Sequence, residues 1–503
     1  MSFESKMKKK GNDTISQFAK NPYYTGPKKQ PFPLWAKISI PSVSVALTSL
    51  AVVLAISVAS SSGTEIGLWE RHALNYPQTP VNSAYIASED SYRNGVADFS
   101  SRILAAASAD HAQLQISLEE MRAEAGNPRG VDEINFVLTP LSLLNTLYML
   151  YDGASIETRG ILERVLPVDE TSFNHLEETK KAIHNVTKDV TLETGKSLFS
   201  NVSQAVFINT DERPYFPTRT TMKEEYLDLL TNYYYADVFQ GDMGSPEMWK
   251  LEQQYYYEKT NGTFQLYSDK CAVRPYPVPE TWMYNSSFIT SGWGVEFQEA
   301  QFGDFTNYDG SVTKDVPYIQ SCDFTGVYRE SQDYGIVSVP LLEGFHFDIL
   351  LPKEGADYPG LSEDSFRDLL TLSAADEYDA TICLKMPVFE ASSGLYSLNP
   401  FEKLGISPEV FDRSNIHNNF PNILESGADF CPAFAFGAVL RVDRDGIFGK
   451  AGMYNNPRVI PSNNQDPGSS RPRIDFTVNR PFIYSVSNKD GIPLFAGGFA
   501  KMC

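Results

Sequence analysis

The histidines and cysteines are the residues of this chain best suited to metal binding, proton transfer or nucleophilic attack, and their spacing indicates none of these. The histidines form no HExxH or other close pair, the cysteines form no CxxC, and no GxSxG elbow, Walker loop or GxGxxG turn occurs. An odd number of cysteines leaves at least one thiol free or paired between chains. These residues are His72, His111, His175, His184, His346 and His417, with Cys271, Cys322, Cys383, Cys431 and Cys503. The sequence therefore predicts a protein that is not an enzyme and that has no metal site and no cofactor.

One long segment, "RVDRDGIFGKAGMYNNPRVIPSNNQDPGSSRPR" from Arg441 to Arg473, lies between two strand-like segments and has almost no large apolar residues. Its "VDRDG" is similar to part of a calcium-binding loop, but Arg441 and Gly452 occupy the first and last ligand positions, so we do not expect calcium. Loops this long inside a compact domain tend to be functional or disordered. This segment is the first candidate for function.

The composition is globular and strongly acidic. Hydrophobic residues make up 42% of the chain and aromatic residues 13%, which indicates a sizeable core, and the formal net charge is −21. Because an acidic protein repels polyanions, we do not expect nucleic acid as a partner.

The N-terminus is basic, unlike the rest of the chain. Residues 1–37 carry eight lysines against Glu4 and Asp13, which gives a net charge of +6. The uncharged segment Ile38–Ser60 follows, and at about 1.5 Å per residue it is long enough to cross a hydrocarbon core of about 30 Å. The lysines predict a cytoplasmic tail at 1–37, an uncleaved signal-anchor at 38–60 and a type II membrane protein with the remaining chain extracellular or lumenal. The alternative is a cleaved signal peptide and a secreted protein, since "VASSSG" offers small residues.

Helical patterns dominate the first half of the remaining chain. Residues 61–94 show no clear period and are predicted to form a stalk, and a helix starts near Val96. The segment "LTPLSLLNTLYMLYDGA" predicts a buried helix with Thr139 as its N-cap, Pro140 at its first position and Gly153 at its end. Three more helices are predicted at "SIETRGILERVL", "FNHLEETKKAIHNV" and "TMKEEYLDLLTNYY", and a strand at "SQAVFIN".

Strand patterns dominate the second half. They occur at "YGIVSVPLL", "FHFDILLP", "ATICLKMPVFEAS", "AFAFGAVLRV", "RIDFTVNRPFIYSVSN" and "IPLFAGGFA", and "NKDG" at Asn488–Gly491 predicts a hairpin turn between the last two. Helices followed by many strands predict an α+β fold with large antiparallel sheets.

These segments, in this order, resemble the serpin family over residues 95–503. The similar segments are "NFVLTPLSLLNTLYMLYDGA", "TNGTF" (Thr260–Phe264), Asn285 with Trp293 and Phe297, "FHFDILLPKEG", "LKMPVFEASSGLYSLNPFEKLGI", "FTVNRPFIYSV" with Asn479, Arg480, Pro481 and Phe482, and "PLFAGGF" with Pro493, Leu494, Phe495 and Gly497. The resemblance implies three β-sheets, about eight to nine helices and an exposed reactive loop, preceded here by one transmembrane helix.

The resemblance also implies a mechanism. A target protease cleaves the reactive loop and forms an acyl-enzyme, and the cleaved loop then inserts into the central sheet A as a new strand and carries the protease with it. The inhibitor supplies no catalytic residue. Its expected partner is a serine protease of trypsin-like specificity, or a cysteine protease. Some relatives are activated by heparin, which we do not expect here because no basic helix is found.

The segment from Arg441 to Arg473 aligns with this reactive loop. The predicted hinge comprises Gly446, Ile447, Phe448, Gly449, Lys450, Ala451, Gly452 and Met453. Because a strand alternates its side chains, the inserted loop would bury Ile447, Gly449, Ala451, Met453, Asn455 and Pro457, none of which is charged. The predicted scissile bond joins Arg458 to Val459, and the alternative is that the arginines of the loop are only solvated charges.

The shutter of the family, where sheet A must open, is predicted at Thr139, Ser142, Asn285 and Phe436. Phe436 stands where relatives have a histidine. Glycosylation is predicted at Asn185, Asn201 and Asn261, whereas the sequon at Asn285 is expected to be unused because the shutter is buried.

Two hypotheses follow. The first is a membrane-anchored serpin that inhibits an extracellular or lumenal protease. The second is a serpin-fold protein that does not inhibit and serves as a surface binding or scaffold protein. The second is favoured by Ile447 after the hinge glycine, by Phe436 and by a loop about ten residues longer than the family's. The first is favoured by the family's usual function and by the uncharged inward residues of the loop, and it is the function we predict.

Overall fold

The structure is a computed structural model. It describes residues 92–108, 135–166, 186, 192–194, 198–209, 222–234, 236–241, 245–259, 281–355, 362–372, 380–395, 404–407, 410, 419–425, 432–448 and 471–502. The predicted tail, signal-anchor and most of the stalk lie outside these residues. Among the helices that the structure describes, none is long and apolar enough to cross a bilayer.

Three large sheets organise the described chain, as the resemblance implied, with a separate two-stranded ladder. Sheet A has seven strands and contains β2 (Leu192–Thr194), β3 (Leu198–Asn209), β4 (Ala236–Gly241), β5 (Thr281–Gly292), β14 (Phe389–Leu395), β15 (Pro432–Asp443) and β16 (Gly446–Phe448). Its order is β14-β15-β16-β5-β3-β2, and β4 also pairs with β3.

Sheet B has six antiparallel strands in the order β1-β19-β18-β12-β11-β10. They are β1 (Phe136–Leu138), β10 (Tyr328–Glu330), β11 (Tyr334–Pro340), β12 (His346–Pro352), β18 (Phe482–Ser487) and β19 (Pro493–Phe499). The predicted hairpin turn between β18 and β19 forms as expected. The side-chain oxygen of Asn488 accepts hydrogen bonds from the backbone N–H groups of Asp490 and Ile492, at 3.1 and 2.8 Å.

Sheet C has four strands in the order β17-β13-β9-β6, and the separate ladder pairs β7 with β8. The strands are β6 (Gln298–Glu299), β7 (Gly303–Thr306), β8 (Val312–Val316), β9 (Tyr318–Gly326), β13 (Ala380–Pro387) and β17 (Arg473–Thr477). A disulfide between Cys322 and Cys383 links β9 to β13. The sequence had left the cysteine pairing open.

The described helices are α1 (92–108), α2 (Pro140–Gly153), α3 (Ile156–Leu162), α4 (Glu224–Tyr233), α5 (Pro246–Lys259) and α6 (Glu363–Leu370). Helix α1 starts by residue 92, three residues before the predicted domain boundary. Tyr92 belongs to the core, because it is buried and its hydroxyl donates to Asn145 Oδ1 at 3.2 Å.

Helix α2 is the central helix, and all its residues are buried, as its apolar sequence predicted. Pro140 occupies its first position and Thr139 its N-cap, but the side chain of Thr139 makes no capping hydrogen bond. Gly153 is the last helical residue for a reason that the sequence did not show. A Cβ at this position would overlap the side chain of Ile423, so glycine permits close packing rather than a left-handed cap.

Candidate functional site

The start of the predicted hinge is already a strand of sheet A, β16, at the end of β5 that finishes at Gly292. Strand β16 lies between β5 and β15 and is antiparallel to both. Its central residue, Ile447, stands opposite Ser291 on one side and Val442 on the other. The chain therefore turns at Arg444 and Asp445 and re-enters the sheet beside the strand it has just left.

Gly446 is the residue that makes this re-entry possible. Its φ is +149°, a value that residues with a side chain rarely adopt. A Cβ there would overlap the carbonyl oxygen of Ser291 and lie 2.9 Å from Cα of Gly292. The backbone conformation and the close approach to β5 both require glycine.

Ile447 anchors β16 by burial. Its side chain is 0% exposed and belongs to the hydrophobic core, whereas the next residue, Phe448, is half-buried. The alternation matches the inward position that the sequence pattern assigned to Ile447. Complete burial of an isoleucine side chain stabilises the inserted strand by about 1.5–3 kcal/mol relative to exposure.

Trp293 makes a hydrogen bond to the turn that leads into β16. Its indole Nε1 donates to the carbonyl oxygen of Asp443 at 2.8 Å, and its ring packs on Phe297 and Phe347 with centroid distances of 4.9 and 5.7 Å. Trp293 was named from the sequence only as part of a family pattern. No signal in the sequence predicted its contact with Asp443. On the surface of the same turn, Arg444 Nη1 lies 2.9 Å from Glu299 Oε1.

Sheet A is closed at the other end of β5, in the sense that no strand lies between β5 and β15 there. The two strands pair directly and in parallel, from Thr281 with Pro432 to Asn285 with Phe436. Between this contact and β16, residues 286–289 and 437–440 have no described pairing with each other. Among the described residues, sheet A thus contains β16 at one end of β5 and a direct β5–β15 pairing at the other, with no pairing between β5 and β15 over the residues in between.

One pair of the predicted shutter residues stands where the direct β5–β15 pairing ends. Asn285 and Phe436 are direct neighbours across β5 and β15. Helix α2 contacts β5 close to this pair. The Oγ atoms of Ser142 on α2 and Ser287 on β5 share a hydrogen bond of 2.6 Å. Ser287 was not among the predicted shutter residues, although it stands two residues after Asn285 on β5, so that strand alternation puts both positions on one face. Thr139 is buried at the start of α2, one turn before Ser142.

The loop returns to the described structure at sheet C. Strand β17 is parallel to β13, and Arg473 Nη1 lies 2.9 Å from Asp323 Oδ1 of β9. The hinge residues Gly449, Lys450, Ala451, Gly452 and Met453 and the predicted scissile residues Arg458 and Val459 lie outside the described residues, as do the sequons at Asn185 and Asn261. Asn201 is half-buried, and its side-chain N–H donates to the carbonyl oxygen of Lys259 at 3.3 Å.

Comparisons with known proteins agree with this architecture. The family model for serpins, serine protease inhibitors, matches residues 124–502. The chain belongs to the serpin family. An uncharacterized serpin-like protein of Thermococcus kodakarensis is 23% identical over 390 residues, which cover 72% of this serpin and 80% of the relative.

Solved serpin structures share the fold. Serpin48 of the insect Tenebrio molitor, described as highly specific, is 17% identical with a TM-score of 0.59, covering 82% of this chain and 99% of its own. Human thyroxine-binding globulin, solved in complex with thyroxine, is 16% identical with a TM-score of 0.59, covering 82% of this chain and 98% of its own. The serpin family consists generally of protease inhibitors rather than catalysts, and its members generally bind target proteases.

Proposed function

We propose that this serpin inhibits an extracellular or lumenal serine-type endopeptidase by reactive-loop cleavage and insertion into sheet A. The observation that carries the proposal is the position of β16 between β5 and β15. A sheet that accepts Gly446–Phe448 as a strand has the geometry to accept more of the same segment.

The register of β16 defines how insertion would continue. Extended residue by residue, it sets Gly449 to Gly452 opposite residues 286–289 and 437–440, which are not paired with each other. The next residue, Met453, falls opposite Asn285 and Phe436. Four residues could therefore enter before the shutter must open, and every later one requires β5 and β15 to separate.

The same register supports Arg458–Val459 as the scissile bond. Pro457 falls opposite Thr281 and Pro432, the last pair of the β5–β15 contact. Its missing N–H would then affect only the end of the new ladder. A loop cut after Arg458 would fill sheet A along the full paired length of β5 and β15.

The inward row also favours insertion. Gly449 would lie between Ile289 and Leu440, which are both fully buried, and Ala451 would lie between Ser287 and Ala438. Small residues at these positions add a strand without overpacking the core. The single lysine of the segment, Lys450, would face away from the core.

A second candidate function, surface binding without inhibition, is favoured by Phe436. A phenylalanine cannot make the hydrogen bonds of the histidine that relatives carry at this shutter position. The likeness to thyroxine-binding globulin shows that the fold also occurs in a protein solved with a small ligand.

Incubation of the full-length protein in detergent with trypsin-like proteases tests inhibition. We expect a covalent complex that survives SDS and cleavage mapped to Arg458–Val459. Ile447→Arg should turn the inhibitor into a substrate, because the inward position would bury an unpaired charge. The matched variant Phe448→Arg, one residue on and half-buried, should retain most inhibition. Complete cleavage of the unmodified protein without a stable complex would contradict inhibition and favour the binding function.

We further propose that residues 38–60 anchor this serpin as a type II membrane protein. The charge asymmetry of residues 1–37 supports this orientation. N-terminal sequencing of the mature protein tests the anchor. A mature N-terminus near Ser61 would instead show a secreted protein.

A further inference from the structure

Gln204 is an unusual residue in the centre of sheet A. Its side chain is 0% exposed, and among the described residues neither its amide nitrogen nor its amide oxygen has a hydrogen-bond partner. Most buried side-chain polar atoms are paired, so an amide with both ends unpaired calls for an explanation. A buried amide without partners raises the free energy of the conformation that contains it.

The location of Gln204 suggests which conformation this is. On β3 it stands directly opposite Asn285 of β5, and Asn285 stands opposite Phe436 of β15. These three residues form one row across the sheet, at the level where the closed pairing of β5 and β15 ends. Gln204 therefore lies beside the point at which the sheet has to part.

The amide lies on the core side of the sheet, where α2 reaches β5. The neighbours at alternate positions, Val202 and Val206, belong to the hydrophobic core. Phe207 lies on the other face, where its ring stacks on Phe239 and meets the ring of Tyr255 of α5 edge-on. The side chain of Gln204 thus shares its face with the shutter rather than with α5.

We propose that Gln204 is a positioning residue of the shutter, whose unpaired amide destabilises closed sheet A relative to open sheet A. Parting β5 from β15 at this row frees backbone N–H and C=O groups and admits polar partners to the amide. The same side chain that is unsatisfied in the closed sheet is then satisfied in the open one. This inference rests on the proposed insertion of the reactive loop.

The variant Gln204→Met tests the proposal, because it keeps the length of the side chain and removes its polar atoms. Melting temperatures are measured for the full-length protein before and after cleavage of the loop, together with the rate at which the cleaved protein gains stability. We expect the uncleaved variant to melt a few degrees higher, the cleaved variant to be unchanged or slightly lower, and the gain to be several-fold slower. Gln204→Leu serves the same purpose if the methionine variant does not fold.

Ser203→Ala is the matched control. Ser203 is the neighbouring residue on β3, is also buried, and its Oγ also has no described partner, but alternation directs it to the α5 face. This variant should shift the uncleaved and cleaved forms equally.

The outcomes separate the two proposals. A normal protein that gains no stability on cleavage contradicts loop insertion, and the role of Gln204 falls with it. A normal gain that Gln204→Met leaves unchanged, or equal shifts of both forms, contradicts only the role of Gln204. A lower melting temperature of uncleaved Gln204→Met also overturns it, because the amide would then be stabilising the closed sheet.

Discussion

Sheets A and B are built from the same kinds of strand but differ in how completely their strands are paired. In sheet B, β12 pairs with β11 along all seven of its residues and with β18 along five. In sheet A, β5 and β15 meet directly only from Thr281 to Asn285 and are held apart by β16 at Thr290–Gly292. In sheet B each described strand keeps the same partners along its length, whereas in sheet A β5 changes partner from β15 to β16.

The difference in pairing predicts that the two sheets contribute differently to the stability of the uncleaved and cleaved protein. We expect sheet B to contribute the same stability before and after cleavage of the loop. If the proposed insertion occurs, sheet A should contribute less stability before it than after it. Substitutions in sheet B should therefore lower the stability of both forms, and substitutions around β16 should change the difference between them.

The largest effect is expected from Gly497→Ala in sheet B. A Cβ at this position would overlap the carbonyl oxygen of Phe136 and lie 2.6 Å from the hydroxyl oxygen of Tyr484. Overpacking against backbone should cost about 3 kcal/mol in uncleaved and cleaved protein alike. Thermal unfolding of both forms measures it. Gly160→Ala is the control, because its Cβ would meet nothing within 4 Å on α3. A loss confined to one form would contradict the division between the sheets.

Gly446→Ala should have the next largest effect, and it should be local. The positive φ and the overlap with Ser291 together should cost about 2 kcal/mol and displace β16 from sheet A. Amide hydrogen exchange is the measurement, with protection at Ile447 and Phe448 falling roughly tenfold or more while β12 stays protected. Unchanged protection at Ile447 would show that the inserted strand does not depend on the glycine.

Much of this architecture could be predicted from the sequence because it depends on local patterns. Pro140 and the apolar run after it specify α2, and "NKDG" specifies the hairpin around Asn488. Gly446 was predicted to begin the hinge from its position in a family pattern, and that role stays a prediction. The physical reason for that glycine, a close approach to Ser291, became visible only with β5 beside it.

What could not be predicted depends on contacts between distant segments. Occupancy of sheet A by β16 is a matter of pairing partners, which a strand pattern does not encode. Ser287 and Gln204 are ordinary strand residues until the register places them near Ser142 and Asn285. Likewise, Cys322 and Cys383 become partners only because β9 pairs with β13.

A smaller effect is expected from Trp293→Phe, which removes the indole N–H that donates to the turn before β16. Loss of the hydrogen bond to the carbonyl oxygen of Asp443 should cost about 1 kcal/mol. It should loosen β16 and so affect the uncleaved form more than the cleaved one. Tyr226→Phe is a matched control, because it removes one hydrogen bond to the carbonyl oxygen of Met149 outside sheet A. Equal losses of stability for Trp293→Phe in the two forms would show that this hydrogen bond stabilises the cleaved protein as much as the uncleaved one.

The smallest effect is expected from Arg444→Gln at the turn into β16. The ion pair with Glu299 lies on the surface, with both side chains largely exposed, so its contribution should not exceed about 1 kcal/mol and should shrink in high salt. Hydrogen exchange at Ile447, compared at low and high ionic strength, separates this contribution from that of burial. Arg473→Gln, which breaks the exposed pair with Asp323 in sheet C, should leave exchange at Ile447 unchanged. If Arg444→Gln releases β16 as fully as Gly446→Ala, charge rather than backbone fit and burial holds the hinge in sheet A.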